Sequence, residues 1–357
     1  MPFYENPELT NSIIKIFILV LTASMIAVGL APILTSFLYK HKLWRKEART
    51  KTITGDEATV FHELHKEREV TVPRFGGILI VGATVVTALI FFLLSKSGIP
   101  FFEKLDFVSR NQTWLPFFTL IAASLLGLSD DILQVIGKGK YVAGGMTFTR
   151  RLLIVILIGL VGALWFYFKL DVHSIHIPLV GDFEIGLWLI PLFIVVMLAC
   201  WSGGVIDGLD GLAGGILGSV FTAFGIISFA RGQIDLAAFC VVIVGTILSF
   251  LWFNIPPARF YMGETGMLGL TATIAVIAFL TDSVVVLPII GGLIVVEVSS
   301  IILQLLSKRI RHKKIWLCTP IHHHFEALGW PHYKVTMRFW IIGIVLAIIG
   351  VAIRLLG

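Results

Sequence analysis

The chain has 357 residues, of which 57% are hydrophobic and 14% charged, with 28 Lys and Arg against 22 Asp and Glu. A soluble domain carries roughly 25% charged residues, so an ordinary soluble enzyme is excluded and an all-α polytopic membrane protein is expected. No nucleic-acid partner is expected. Cys200, Cys240 and Cys318 lie far apart without a CxxC pair, which supports neither a disulfide framework nor a zinc knuckle.

A bilayer core takes about 20 apolar residues per helix. The first apolar run, 12–38, exceeds a signal-peptide core and has no evident cleavage site, so it reads as a retained span. Further spans are expected at 75–95, 113–129, 148–168, 186–203, 209–230, 236–253, 266–281, 284–306 and 337–356. These make about ten transmembrane helices in a single membrane domain over 1–357. Residues 1–60 carry no interpretable motif. Loops after odd-numbered spans hold 21 of the 28 Lys and Arg residues. The positive-inside rule then makes those loops cytoplasmic and both termini external. The same basic excess would attract anionic lipid head groups and a nucleotide-linked substrate, with Lys138 as one contact.

The rare acids and histidines gather on that cytoplasmic side. Asp130-Asp131 ends the third span, and two adjacent carboxylates repel unless a cation or proton intervenes. They read as an exposed interfacial pair or as a metal ligand and a base beside a phosphate. In Asp207-Gly-Leu-Asp210-Gly-Leu-Ala-Gly-Gly215, acids three apart share a face if helical, and glycines admit a ligand close to the backbone. Uncompensated carboxylates at a membrane boundary are costly and mark function more often than a tight turn. Glu264 lies in the Pro- and Gly-rich loop from Asn254 to Met267, where oxygen ligands suit Mg²⁺. Phe260 or Tyr261 in that loop could stack on a nucleobase or anchor at the interface. His322-His323-His324-Phe325-Glu326 occupies the last cytoplasmic loop. Three consecutive histidines cannot all point one way, so one or two are expected at phosphate and another in bracing the loop. A transition-metal site there lacks a second His or Cys cluster at suitable spacing. Glu297, inside the ninth span, serves function, pairs with a neighbouring helix or marks a break.

Taken together the chain resembles the polyprenyl-phosphate N-acetylhexosamine-1-phosphate transferases, and within them the branch using a muramoyl-pentapeptide donor. The resemblance runs from about residue 73 to the end. It is carried by Pro73-Arg-Phe-Gly-Gly77, Asp130-Asp131, Asp207-Gly-Leu-Asp-Gly-Leu-Ala213, Trp252-Phe-Asn254, Met262-Gly-Glu-Thr-Gly266, Glu297 and Pro320-Ile-His-His-His-Phe-Glu326. The histidine motif points to the muramoyl branch. Departures are Glu264 where the family usually has Asp, Gly204 where it has Asn, and Met267-Leu268 in place of a Ser-containing turn. Arg74 is closer to relatives using UDP-N-acetylglucosamine.

The resemblance implies that undecaprenyl phosphate attacks UDP-MurNAc-pentapeptide at a cytoplasmic-face active site in the bacterial inner membrane, giving lipid I and UMP. It implies Mg²⁺ held by Asp207 and Glu264. Asp130 or Asp131 would assist the lipid phosphate. Asp210, Asn254, Phe260, Tyr261 and His322 would line the substrate site, and His323 and His324 would act near the phosphates. A homodimer is also implied. Competing expectations are a sister UDP-HexNAc transferase, a transporter with intramembrane coupling acids, and a non-enzymatic homologue.

Overall fold

Long Leu-, Ile-, Val- and Phe-rich stretches satisfy their backbone groups internally only as helices, which is what lipid demands. The computed structural model describes residues 7–48, 59–109, 112–137 and 145–357. In chain order the helices are α1 (Pro7–Lys40), α2 (Thr59–Glu69), α3 (Gly77–Ser95), α4 (Pro100–Leu105), α5 (Trp114–Ile136) and α6 (Phe148–Leu164). A short antiparallel hairpin, β1 (Ser174–Ile177) and β2 (Gly181–Glu184), follows, with Ile175 opposite Phe183. Then come α7 (Leu189–Ser202), α8 (Leu212–Ala230), α9 (Ile234–Asn254), α10 (Gly263–Leu280), α11 (Leu287–Ile290), α12 (Gly292–Arg311), α13 (Ile321–Ala327) and α14 (His332–Leu356).

Among the described residues nine helices are long and apolar enough to cross a membrane, in agreement with the polytopic all-α reading. The expected span at 284–306 is where the count differs. It divides into α11 and α12 at Gly291, and α12 ends in the basic residues Lys308, Arg309 and Arg311. A break in this span was one of the alternatives for Glu297. The hairpin and the short helices α2, α4 and α13 were not legible from apolar runs, since none of them is one.

Burial orders the bundle. Of the spanning stretch of α10, 89% is buried, against 17% for α1, so α10 is the central helix and α1 a peripheral one. Its crossings with α3 and α5 are backbone-to-backbone. A Cβ at Gly77 would collide with the backbone of Gly266, and one at Gly127 with the carbonyl of Glu264. Both glycines are therefore required by close approach, and they draw the ends of α3, α5 and α10 to one point. On the opposite end of the bundle Lys15 is held by Asp235 (2.7 Å) and by the carbonyl of Asp106 (2.6 Å).

Gly77→Val should therefore be poorly tolerated, costing about 3 kcal/mol or more through overpacking against backbone that has no rotamer to move. Gly29→Ala, at a site with nothing within 4 Å of the added carbon, should leave the melting temperature of the detergent-solubilised protein unchanged.

Candidate active site

The first three backbone N–H groups of α10 have no intrahelical partner. Two carboxylates from elsewhere in the chain take them. Gly263 N–H donates to Asp207 Oδ2 (3.0 Å), Glu264 N–H to Asp131 Oδ1 (3.0 Å) and Thr265 N–H to Asp131 Oδ2 (2.9 Å), with the Thr265 hydroxyl adding 2.7 Å to the same oxygen. Asp131 is thus fully engaged as an N-cap supplied by α5. Asp207 keeps one oxygen without a hydrogen bond to the protein among the described residues.

Asp130, on the other side of α5, anchors a second network. Gln134 Nε2 donates to it at 2.6 Å and Met146 N–H at 2.5 Å, and Arg151 stands 3.4 Å away. Arg151 also reaches Glu264 Oε1 at 3.2 Å, so one guanidinium joins Asp130 to Glu264. Gln134 in turn accepts from Arg45 Nε (3.0 Å), which pairs with Glu69 of α2 at 2.6 Å. Arg74 faces Asp131, Asp207, Glu264 and Glu69. Its burial alone would lower its pKa, but these acids raise it above the ordinary arginine value. Burial pushes the Asp207 carboxyl up, against the pull of Arg74 and the Gly263 hydrogen bond.

Asp210 is buried, accepts Ala258 N–H at 3.1 Å and pairs with Arg68 of α2 at 2.8 Å. Asn254 accepts Gly211 N–H (2.9 Å) and donates to the Phe260 carbonyl (2.8 Å), so it locks the two acidic loops together. Of the two aromatic candidates, Phe260 is fully buried between Phe250 and Phe253 and presents no face to a base. Tyr261 is only partly buried and lies among Asp210, Arg68, Arg74 and Asp207, its hydroxyl pKa raised by burial and by those acids. Lys138 lies outside the described residues.

The three histidines point in different directions, and only the loop-bracing role expected of one of them is seen. His322 is fully buried 3.0 Å from Glu297, also fully buried, although the two are not aligned for a hydrogen bond. His323 contacts Glu326, and burial lowers its pKa to about 3, which keeps the ring neutral. His324 Nδ1 accepts Leu317 N–H at 3.3 Å and braces the preceding loop. A side chain at Gly208 would strike His322 and crowd His323, so α13 supports the Asp207–Asp210 loop from beneath.

Asp207 and Glu264 fit a hard divalent cation. Both are partly accessible carboxylates, and each has an oxygen that no described residue hydrogen-bonds. Sequence reasoning missed Arg68, Arg151 and Gln134. The two arginines were read as part of the basic excess and not paired with particular acids, and their acid partners lie 142 and 113 residues away for Arg68–Asp210 and Arg151–Glu264.

The chain matches the model of glycosyl transferase family 4 over residues 113–282. It is 34% identical over 335 residues to the phospho-N-acetylmuramoyl-pentapeptide-transferase of Bacillus licheniformis, covering 92% of this chain and 95% of that one. Against the enzyme of the same name from Bacillus subtilis, identity is 34% over 340 residues, or 94% and 96% of the two chains. Against that of Listeria monocytogenes it is 36% over 295 residues, or 82% and 86%.

The two capping carboxylates should separate in a stability measurement. Asp131→Ala strands two backbone N–H groups and a hydroxyl and should cost about 3 kcal/mol. Asp207→Asn retains an acceptor for Gly263 and should change stability by less than about 1 kcal/mol. Thermal unfolding of both variants in detergent tests the difference.

Proposed function

This chain belongs to the phospho-N-acetylmuramoyl-pentapeptide-transferase family, and we propose that it transfers phospho-MurNAc-pentapeptide from UDP-MurNAc-pentapeptide to undecaprenyl phosphate. The observation carrying this reading is the convergence of Asp207, Glu264, Arg74 and Arg151 at the N-terminus of α10, beside the His322–Glu326 helix. An oxygen of the lipid phosphate forms a bond to the β-phosphorus of the donor. The bond from that phosphorus to the bridging oxygen breaks, and UMP leaves with the electron pair. The products are lipid I and UMP.

Phosphoryl transfer asks for positioning and charge neutralisation more than for covalent help. Arg74 and Arg151 supply positive charge against the diphosphate; Asp130 and Glu264 hold the Arg151 guanidinium in place, and Arg74 lies in the field of Asp131, Asp207 and Glu264. Asp207 and Glu264 would hold Mg²⁺, which offsets diphosphate charge and improves UMP as a leaving group. Asp130 and Asp131 are positioning residues on this reading, because their oxygens are committed to Gln134, Met146, Glu264 and Thr265. A phosphate monoester has a second pKa near 6, so the lipid nucleophile is largely a dianion at neutral pH and needs no base. Tyr261 offers the nucleobase a platform and Asp210 faces the nucleotide. With α11 and α12 together counted as the tenth crossing, the Lys and Arg distribution supports a cytoplasmic site with both termini external. We further assign a homodimer on the family resemblance alone.

Purified protein given undecaprenyl phosphate and Mg²⁺ should release UMP with the muramoyl donor and not with UDP-GlcNAc; release with the GlcNAc donor alone would move the chain to the sister branch. Excess chelator should stop the reaction. Asp207→Asn should lower turnover by at least about a hundredfold, and near-normal rates in that variant would remove Asp207 from the metal site. Glu264→Asp withdraws the carboxylate from Arg151 and should slow turnover about tenfold, whereas a faster variant would show that the longer arm is a handicap.

A further inference from the structure

By spacing alone, no second histidine cluster accompanies His322–His324. The fold supplies one. Helix α2 carries His65, and the first turn of α14 carries His332, to the same carboxylate that His323 contacts one turn away on α13. His65 Nε2 lies 3.2 Å from Glu326 Oε2, and His323 Nδ1 lies 2.5 Å from that same oxygen. His332 Nδ1 meets the other oxygen, Oε1. The rings of His65 and His323 are 4.9 Å apart, and those of His65 and His332 are 5.8 Å apart. Donor atoms of His65, His323 and Glu326 all fall within 4.8 Å of one another, and all three residues are buried.

Zinc bonds to imidazole nitrogen and carboxylate oxygen of about 2.0–2.2 Å set the edges of a tetrahedral ligand set at about 3.3 Å. The His65–Glu326 separation matches that edge, whereas the contacts of His323 and His332 with Glu326 are shorter and would have to lengthen around a bound ion. Glu326 Oε1 and His332 Nδ1 are both shielded from solvent and close together, yet neither makes an aligned hydrogen bond. His332, whose side chain is 39% exposed, leaves the cluster open on one side.

We infer that His65, His323, His332 and Glu326 form a binding site for a first-row transition metal ion, Zn²⁺ above all, that fastens α2 to α13 and α14. Imidazole with one carboxylate is the donor set for such an ion, whereas the all-oxygen pair Asp207 and Glu264 suits Mg²⁺. The fastening bears on the acidic loops, because Arg68 on the next turn of α2 holds Asp210. The inference does not depend on the substrate assigned above, since metal binding is read without substrate.

The test is a titration of tag-free, chelator-stripped full-length protein with Co²⁺. One equivalent per chain should develop the strong visible absorption of tetrahedral cobalt. Zn²⁺ should abolish it, and excess Mg²⁺ should not. His65→Ala and His332→Ala should each weaken Co²⁺ binding about tenfold or more and remove the rise in melting temperature that Zn²⁺ gives the parent. His332 is partly exposed, so its variant carries the test if His65→Ala does not fold. Absence of a tetrahedral spectrum, or a spectrum with unchanged affinity in the folded variants, would overturn the inference.

Discussion

The capping of α10 by Asp131 and Asp207 is the interaction on which this end of the bundle depends. A buried helix N-terminus exposes three or four unpaired N–H groups and roughly half a unit of positive charge. In this chain the compensation comes from α5 and from the loop before α8. Each capping bond therefore also fixes the distance between two chain segments far apart in sequence. Glu264, on the first turn of α10, is placed by the same bonds.

That arrangement concentrates negative charge, and the chain answers with arginine. Arg74 and Arg151 stand among Asp130, Asp131, Asp207 and Glu264. Guanidinium is suited to this because it stays charged and spreads several donors over a planar fork. A phosphate bound here, as proposed, would meet both cations, with Arg151 already held by two acids. The acids around them would also gain from the proposed divalent cation, so metal and substrate would reinforce each other electrostatically.

Much of this was legible before the fold was known. Apolar run length located the spans because lipid leaves the backbone few alternatives, and the acidic motifs stood out against a chain with few charges. The division of labour within those motifs was not legible. Asp130 and Asp131 are adjacent, yet one caps α10 and the other anchors Arg151, because successive residues on a helix point about 100° apart. Phe260 and Tyr261 are likewise adjacent, and only Tyr261 reaches the acids. His65 could not be joined to Glu326 by any local pattern, since 261 residues separate them. The departures at Gly204 and Met267 also prove to be neighbours. A Cβ at Gly204 would lie 3.9 Å from the Met267 Cβ, so the larger Met267 side chain stands beside the smaller residue.

Glu297 shows how a membrane-embedded acid serves a site that it does not enter. The break at Gly291 starts a new helix, α12, and six residues along it Glu297 faces His322 in complete burial. Removing one partner of such a pair leaves the other polar group stranded at several kcal/mol, so the pair resists being pulled apart. His322 in turn lies directly against Gly208, where no side chain fits. The position of the Asp207–Asp210 loop is therefore set from two directions: by the α10 N-terminus and Asn254 on one side, and by a buried acid–imidazole pair on the other. The loop that carries the proposed metal ligand thus rests on rigid helices at both faces, which is the support an oxygen ligand needs to hold Mg²⁺ against its preference for water.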